Sequence, residues 1–343
     1  MIALLHGAPA WGAVERYVGA LARGLSESGE EAVLVYPDVP QLVPFSATGV
    51  RTLTFPPDLS APRVALWLRR VLRKARPRLV HVTDVWPPAV VAARAARVPR
   101  TIVTHHTPEL PRRENTVGRL WWRLAWAARP EVVYTSETDR AGDAREGLRT
   151  HVIELGIDLE RYAHGSPSLA KDAPLVGNVA RLAEQKGQRY LLEAAAELPE
   201  VRLAIVGEGE LRDELERRAC ELGVADRVWF TGARDDVPDV LASCDVFAFP
   251  SLFEGLCLAV IEAQAAGVPV VATPVGGIRE TVVEGETGLL VPQRDAHALA
   301  ERIRWVLEHP NEASALAAEA KRRVFERYSE RRMVERTLEL YAR

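Results

Sequence analysis

Ten short apolar runs recur along the chain, and they constrain its fold more than any other feature. "MIALL", "AVLVY", "RLVHV", "RTIVTH" and "EVVYTS" lie in the first half, and "APLVGNVA", "RLAIVG", "RVWFTG", "DVFAFPS" and "PVVATP" in the second. Each reads as a buried strand, and amphipathic or Ala-rich segments of helical spacing separate them. A strand apolar on both faces needs cover on both, which crossover helices provide, so the alternation predicts parallel sheets between helix layers. A chain of 343 residues exceeds one comfortable core, and two domains are expected. The stretch "AHGSPSLAKDAP" (163–174), rich in Gly, Ser, Pro and Ala, is the linker candidate. The expected architecture is α/β: two doubly wound, Rossmann-like domains over 1–163 and 174–327, facing a deep interdomain cleft. Ligands of such sheets lie beyond the carboxyl ends of the strands, so the cleft is the default site. A last amphipathic helix within 328–343 is placed by nothing in the sequence.

Hydrophobic residues make up 48% and charged residues 27%, which describes an ordinary globular chain and excludes a disordered one. Three cysteines, Cys220, Cys244 and Cys257, are odd in number and lack metal-ligand spacing. A reducing, cytoplasmic setting follows, with the thiols as core filler. "MIALLHGAPAWG" has no basic leader, and no run approaches the roughly 20 apolar residues of a spanning helix. Charge is uneven: residues 1–165 sum to +5, residues 166–343 to −8, and residues 63–129 hold 15 basic side chains against 3 acidic. That asymmetry fits an anionic partner, or simply the codon usage of a chain with 40 arginines and 4 lysines.

Several motifs carry chemistry. In "NVARLAEQKGQRYLLEAAAEL" a strand runs into a loop bearing Arg181, with Lys186 near a helix start. Two cations beside a helix N-terminus suit a diphosphate, or are solvated surface charges. In "SLFEGLCLAVIEAQAAG" (251–267), Glu254 and Glu262 stand seven residues apart on either side of an apolar run. Glu254 precedes the helix, where a carboxylate also serves as a cap. Glu262 sits on an all-round apolar helix with no cation one turn away, at a cost of roughly several kcal/mol unless something hydrogen-bonds it. The vicinal hydroxyls of a ribose would do so, as would a backbone amide or a distant Arg. The strand "RTIVTHHTPE" ends in His105 and His106, whose side chains point to opposite faces, so at most one of them faces the cleft. "LLHGAPAWGAVERYVGALARGL" places Gly12 in a strand-to-helix loop that can meet a phosphate or sugar, and "VGEGELR" places Gly207 and Gly209 after a strand. Position 212 is Arg where a dinucleotide fingerprint has its third glycine, which disfavours nicotinamide binding.

One helix, in "NTVGRLWWRLAWAARP", has two apolar faces. Val117, Leu120, Leu124, Ala127 and Ala128 form a stripe suited to the sheet, while Trp122 and Trp126 share the other face with Arg119 and Arg129. On that reading Trp122 and Trp126, in an Arg-rich first domain, meet a membrane surface or an anionic lipid acceptor. The alternative is Trp stacked under Arg on a buried surface.

Taken together these residues resemble the family-four retaining glycosyltransferases of the GT-B fold, also called group 1. The resemblance covers most of the chain and is strongest over 174–292, from "ARLAEQKG" through "LAIVGEGELRDELE" to "VWFTGARDDVPDVLASCDVFAFPSLFEGLCLAVIEAQAAGVPVVATPVGGIRETVVEGETGLLVP". It implies that Arg181 and Lys186 hold the donor's diphosphate in place of a metal ion, that Glu262 binds the donor ribose and that Glu254 lies near the transferred sugar. The amides of Gly255 and Leu256 would reach sugar hydroxyls or phosphate, and Gly207 belongs to the same donor site. His106, in the Thr-x-His pattern formed with Thr104 and His105, is the cleft histidine. Gly12 departs from the family, since Ala13 stands where a second glycine is common. The last helix, 328–343, would cross back onto the first domain. No cofactor or metal is implied beyond the nucleotide-sugar donor.

The activity so implied is transfer of a sugar, with retention, from a nucleotide-diphosphate sugar to a hydroxyl of a saccharide or lipid-linked acceptor. The setting would be glycolipid, cell-envelope polysaccharide or lipopolysaccharide synthesis, in the cytoplasm or at the inner face of the membrane, with no nucleic-acid partner. Two alternatives stand beside it: a nucleotide-sugar epimerase on the same fold, and a non-catalytic nucleotide-sugar-binding protein.

Overall fold

The computed structural model describes residues 1–8, 13–84, 86–106, 116–142, 147–169 and 172–343. Their contacts divide the chain into two units. The first is Met1–Gly156 with Glu330–Arg343, and the second is Ile157–Ser329. The first division therefore falls at Gly156/Ile157, ahead of the 163–174 stretch.

The first unit is built on β1 (Ile2–Leu5), β2 (Ala32–Pro37), β3 (Arg51–Phe55), β4 (Leu79–Val82), β5 (Arg100–His105), β6 (Glu131–Tyr134) and β7 (Thr150–Val152). They form one sheet in the order β3-β2-β1-β4-β5-β6-β7. Every pairing is parallel, with Leu5 opposite Val35 on one side and Val82 on the other. The helices are α1 (Ala13–Glu27), α2 (Ala61–Ala75), α3 (Pro87–Ala96), α4 (Thr116–Ala127) and the short α5 (Glu137–Gly142). α2 and α3 cover one core with Val64, Leu68, Leu72, Ala89 and Ala93, packed on Leu5, Val35, Val82 and Val103. Both are built for this: Pro at the first turn, an αL residue (Arg76, Arg97) at the end, and an apolar stripe between.

α4 corrects the expected burial. Trp122 is 7% exposed and Ala125 is 2%, whereas Val117, Leu120 and Leu124 are 62%, 55% and 47% exposed. The Trp face is the inner one, with Trp126 stacked on Trp122 at 5.5 Å. A tryptophan removes more apolar surface from water than a valine or leucine, so of two apolar stripes the heavier one goes inside. Trp122 is therefore not available to a membrane.

The second unit repeats the plan with α6 (Leu159–Ala163), β8 (Leu175–Val179), α7 (Gln188–Ala196), β9 (Arg202–Val206), α8 (Arg212–Glu221), β10 (Val228–Gly232), α9 (Val237–Ala242), β11 (Val246–Phe249), α10 (Leu258–Ala265), β12 (Val270–Ala272), α11 (Ile278–Thr281), β13 (Leu289–Leu290), α12 (Ala296–Glu308) and α13 (Pro310–Arg327). Its parallel sheet runs β10-β9-β8-β11-β12-β13. In each sheet the strand order reverses once, at β1/β4 and at β8/β11, which is where doubly wound sheets open a crevice at their carboxyl ends. The final helix, α14 (Glu330–Ala342), packs on α1 in the first unit. Two arginines bind its carboxyl end: Arg78 Nη1 donates to Tyr341 O at 2.9 Å and Arg100 Nη1 to Leu340 O at 2.7 Å. Cations there satisfy carbonyls that the helix itself leaves open.

Candidate active site

The loops after β8 and β11 flank the switch point of the second sheet, and they are bound to each other. Leu252 N donates to Gln185 O at 2.8 Å, and Gln185 Nε2 donates to Phe253 O at 2.8 Å. Gly187, with φ +66°, lets the first loop lie flat on the second: a Cβ there would stand 2.1 Å from Pro250 O. This zipper brings together residues 68 apart in sequence. Lys186 Nζ lies 2.6 Å from Glu254 Oε1, and the Ser251 hydroxyl lies 2.6 Å from the same oxygen. The Lys186 and Glu254 side chains are 17% and 7% exposed, so the pair is largely withdrawn from water. Lys186 also stands 5.4 Å over the Phe249 ring. Arg181, at the mouth of the same loop, is exposed and makes no ion pair among the described residues.

Glycines pack the neighbouring loops onto this pair. Gly207, with φ +136°, lies so near Ala180 O that a Cβ would stand 2.0 Å from it, and a Cβ on Gly276 would stand 1.8 Å from Glu254 O. Gly277 N donates to Gly255 O at 3.0 Å. Gly207 thus has a backbone reason to be glycine whether or not it touches a ligand. Gly255 is half-buried and Leu256 buried, in the loop that leads into α10.

Glu262 is 5% exposed on α10, as its apolar surroundings require. The structure gives it a side-chain partner that is neither an amide nor an arginine. Tyr162, on α6, donates its phenol hydrogen to Glu262 Oε1 at 2.8 Å. The partner is exactly one hundred positions away in sequence, on a five-residue helix packed against α10. Periodicity within one helix gives no sign of it.

At the switch point of the first sheet, His6, Thr83 and His106 follow β1, β4 and β5. His106 Nε2 donates to Thr83 O at 2.9 Å. A carbonyl can only accept, so Nε2 carries the hydrogen and the Nδ1 of the neutral ring is left as an acceptor. Burial holds the His106 pKa below the usual histidine value, partly opposed by Asp84. Its buried Nδ1 finds no partner among the described residues. A neutral ring with a free acceptor nitrogen suits a hydroxyl of a bound molecule. Tyr17 packs edge-on against this ring at 5.3 Å.

Sequence reasoning missed the groups beneath. His6 Nε2 lies 3.1 Å from Glu15 Oε1, and His6 Nδ1 lies 3.3 Å from Thr83 Oγ1. His81 bridges Tyr341 OH, 2.5 Å from its Nδ1, and Thr104 Oγ1, 2.7 Å from its Nε2, and Thr104 Oγ1 also meets Tyr17 OH at 3.1 Å. Burial pushes the His81 pKa down to about 3 and those of Tyr17 and Tyr341 upward. A polar residue ending an apolar strand ("MIALLHG", "RLVHVTD") was the available signal. Gly12 lies outside the described residues. Among the described residues no three His, Cys, Asp or Glu side chains converge as a metal site.

Residues 163–323 match the family described as "Glycosyl transferases group 1", and residues 12–161 match "Glycosyltransferase Family 4". A mannosyltransferase of Mycolicibacterium smegmatis, named as GDP-mannose-dependent alpha-(1-6)-phosphatidylinositol monomannoside mannosyltransferase, is 31% identical over 297 residues, 78% of each chain. The chain belongs to the family 4, group 1 glycosyltransferases. Solved structures place this glycosyltransferase in the GT-B fold. HepE of Anabaena, crystallised with UDP, superposes with a TM-score of 0.85 at 23% identity over 99% of both chains. Sucrose-phosphate synthase of Thermosynechococcus elongatus gives 0.83 at 26% identity, over 99% of this chain and 98% of its own.

Proposed function

We propose that this glycosyltransferase moves a sugar, with retention, from a nucleotide-diphosphate sugar to a hydroxyl of a lipid-linked or envelope saccharide acceptor. The observation that carries the reading is the zipped pair of loops at the β8/β11 switch point, with Lys186 on Glu254 and exposed Arg181 beside them. The donor binds the second unit, its diphosphate on Arg181 and Lys186, its ribose on Glu262, and its sugar near Glu254 and the amides of Gly255 and Leu256. The acceptor binds the first unit, where His106 Nδ1 takes a sugar hydroxyl.

In the reaction the bond between the sugar's anomeric carbon and the β-phosphate oxygen breaks, and the acceptor oxygen bonds to that carbon on the same face. The acceptor's proton passes to the departing phosphate oxygen. Negative charge grows on the diphosphate as the bond lengthens, and a fixed cation aimed at it stabilises the transition state by about 3 kcal/mol. Relatives named for GDP-mannose and neighbours crystallised with UDP or UDP-glucose support a nucleotide-sugar donor. A lipopolysaccharide core glycosyltransferase of Rhizobium meliloti, 37% identical over 50% of each chain, and the mycobacterial lipid enzymes support an envelope acceptor.

The test is a panel of UDP-, GDP- and ADP-sugars, following nucleotide release with and without a lipid-linked saccharide. Release that rises with acceptor, yielding an α-linked product from an α-linked donor, is the expected result. Acceptor-independent isomerisation of the donor would identify an epimerase instead, and donor binding without turnover a non-catalytic partner.

A further inference from the structure

The helices α2, α3 and α4 lie side by side on the first sheet. Together they carry eight cationic side chains and not one carboxylate. Elsewhere the chain's surface arginines commonly sit on glutamates, as Arg322 does on Glu319 and Glu326. In this layer Arg63, Arg70 and Arg123 are exposed and pair with no carboxylate among the described residues. Between them large apolar groups face outward. Leu66 on α2 is 45% exposed, with Arg63 and Arg70 one turn to either side, and on α4 Val117, Leu120 and Leu124 line up beside Arg119 and Arg123.

We infer that this layer docks the enzyme on an anionic lipid bilayer. Aliphatic side chains ringed by arginines match the boundary between acyl chains and phosphate headgroups, where the former are buried and the latter meet negative charge. A nucleic acid would use the arginines and leave the leucines in water. A partner protein would be expected to centre its contact on a region poor in charge. No helix among the described residues is long and apolar enough to cross a membrane, so such contact is peripheral. The inference deepens the proposed function and rests on it for a lipid-borne acceptor, while the surface itself rests on α2–α4 alone.

The test is co-sedimentation of the full chain with phosphatidylcholine vesicles and with vesicles that also contain phosphatidylglycerol. Binding to the anionic vesicles alone, weakened by salt, is expected. Leu120→Ser/Leu124→Ser and Arg119→Gln/Arg123→Gln should each lose most of it while keeping parental nucleotide release with a soluble acceptor. Parent protein left in the supernatant, or either double variant binding like the parent, would overturn the inference. So would an oligonucleotide that binds the parent and the Leu variant alike but not the Arg variant. If vesicle binding holds and no donor is turned over, the proposed function fails and the docking face stands.

Discussion

The Lys186–Glu254 contact has a structural role and, in the proposed function, a second role at the donor, and mutation can separate them. Each charge is mostly out of water, so removing one leaves the other without its counter-charge. Lys186→Met alone should destabilise the second unit by about 3 kcal/mol. Adding Glu254→Gln should restore much of that loss, because a neutral amide no longer needs the ammonium. Donor turnover should stay low in both, since the cation proposed to hold the diphosphate is gone. Urea denaturation of the parent, the single and the double variant measures the first effect, and nucleotide release the second. A double variant no more stable than the single one would mean that the pair does not carry the effect. Glu254 and Glu262 are alike in the sequence and differ in the structure: one meets a lysine and a serine from a neighbouring loop, the other a phenol from a distant helix.

The helix α14 is tied to the first sheet through the buried contact of Tyr341 with His81. His81 beneath it has its pKa pressed to about 3 by burial, against about 6.5 in an unfolded chain. The unfolded chain therefore takes up the proton first as pH falls. This contribution to stability is complete above about pH 6.5 and is lost at up to about 1.4 kcal/mol per pH unit toward the lower value. Unfolding free energies at about pH 7.5 and pH 5 should differ by roughly 2 kcal/mol more in the parent than in His81→Gln. Equal slopes would show that His81 is not the group responsible. How much of these elements was legible depends on where they lie in the sheets. All ten strands read from apolar runs are present. The three not read, β3, β7 and β13, are edge strands, half exposed or only two or three residues long, and so lack a continuous apolar run. The faces of α4 were misassigned because two apolar stripes compete there and only packing chooses between them. The loops after β8 and β11 were legible as motifs. Their mutual bonds and the Tyr162–Glu262 contact join residues far enough apart that no local pattern encodes them.

The whole molecule is two doubly wound units, and the second is continuous in sequence. Its ends are paired: Ile157 bridges to Ser329, and Ile157 N donates to Tyr328 O at 2.9 Å. A fragment spanning Ile157–Ser329 should therefore fold alone, unfold in one cooperative step and bind the nucleoside diphosphate that the donor panel selects. Calorimetry and titration of the fragment check this, and a fragment without a thermal transition would refute it.

The placement of α14 has a consequence for the order in which the chain is made. The first unit begins with Met1 but includes Glu330–Arg343, so a ribosome completes the second unit before it supplies the helix that closes the first. Until then His81 lacks the hydroxyl of Tyr341, Arg78 and Arg100 lack the carbonyls they bind, and one face of α1 lies uncovered. The half of the enzyme assigned to the acceptor is thus the last to be finished, although its synthesis starts first.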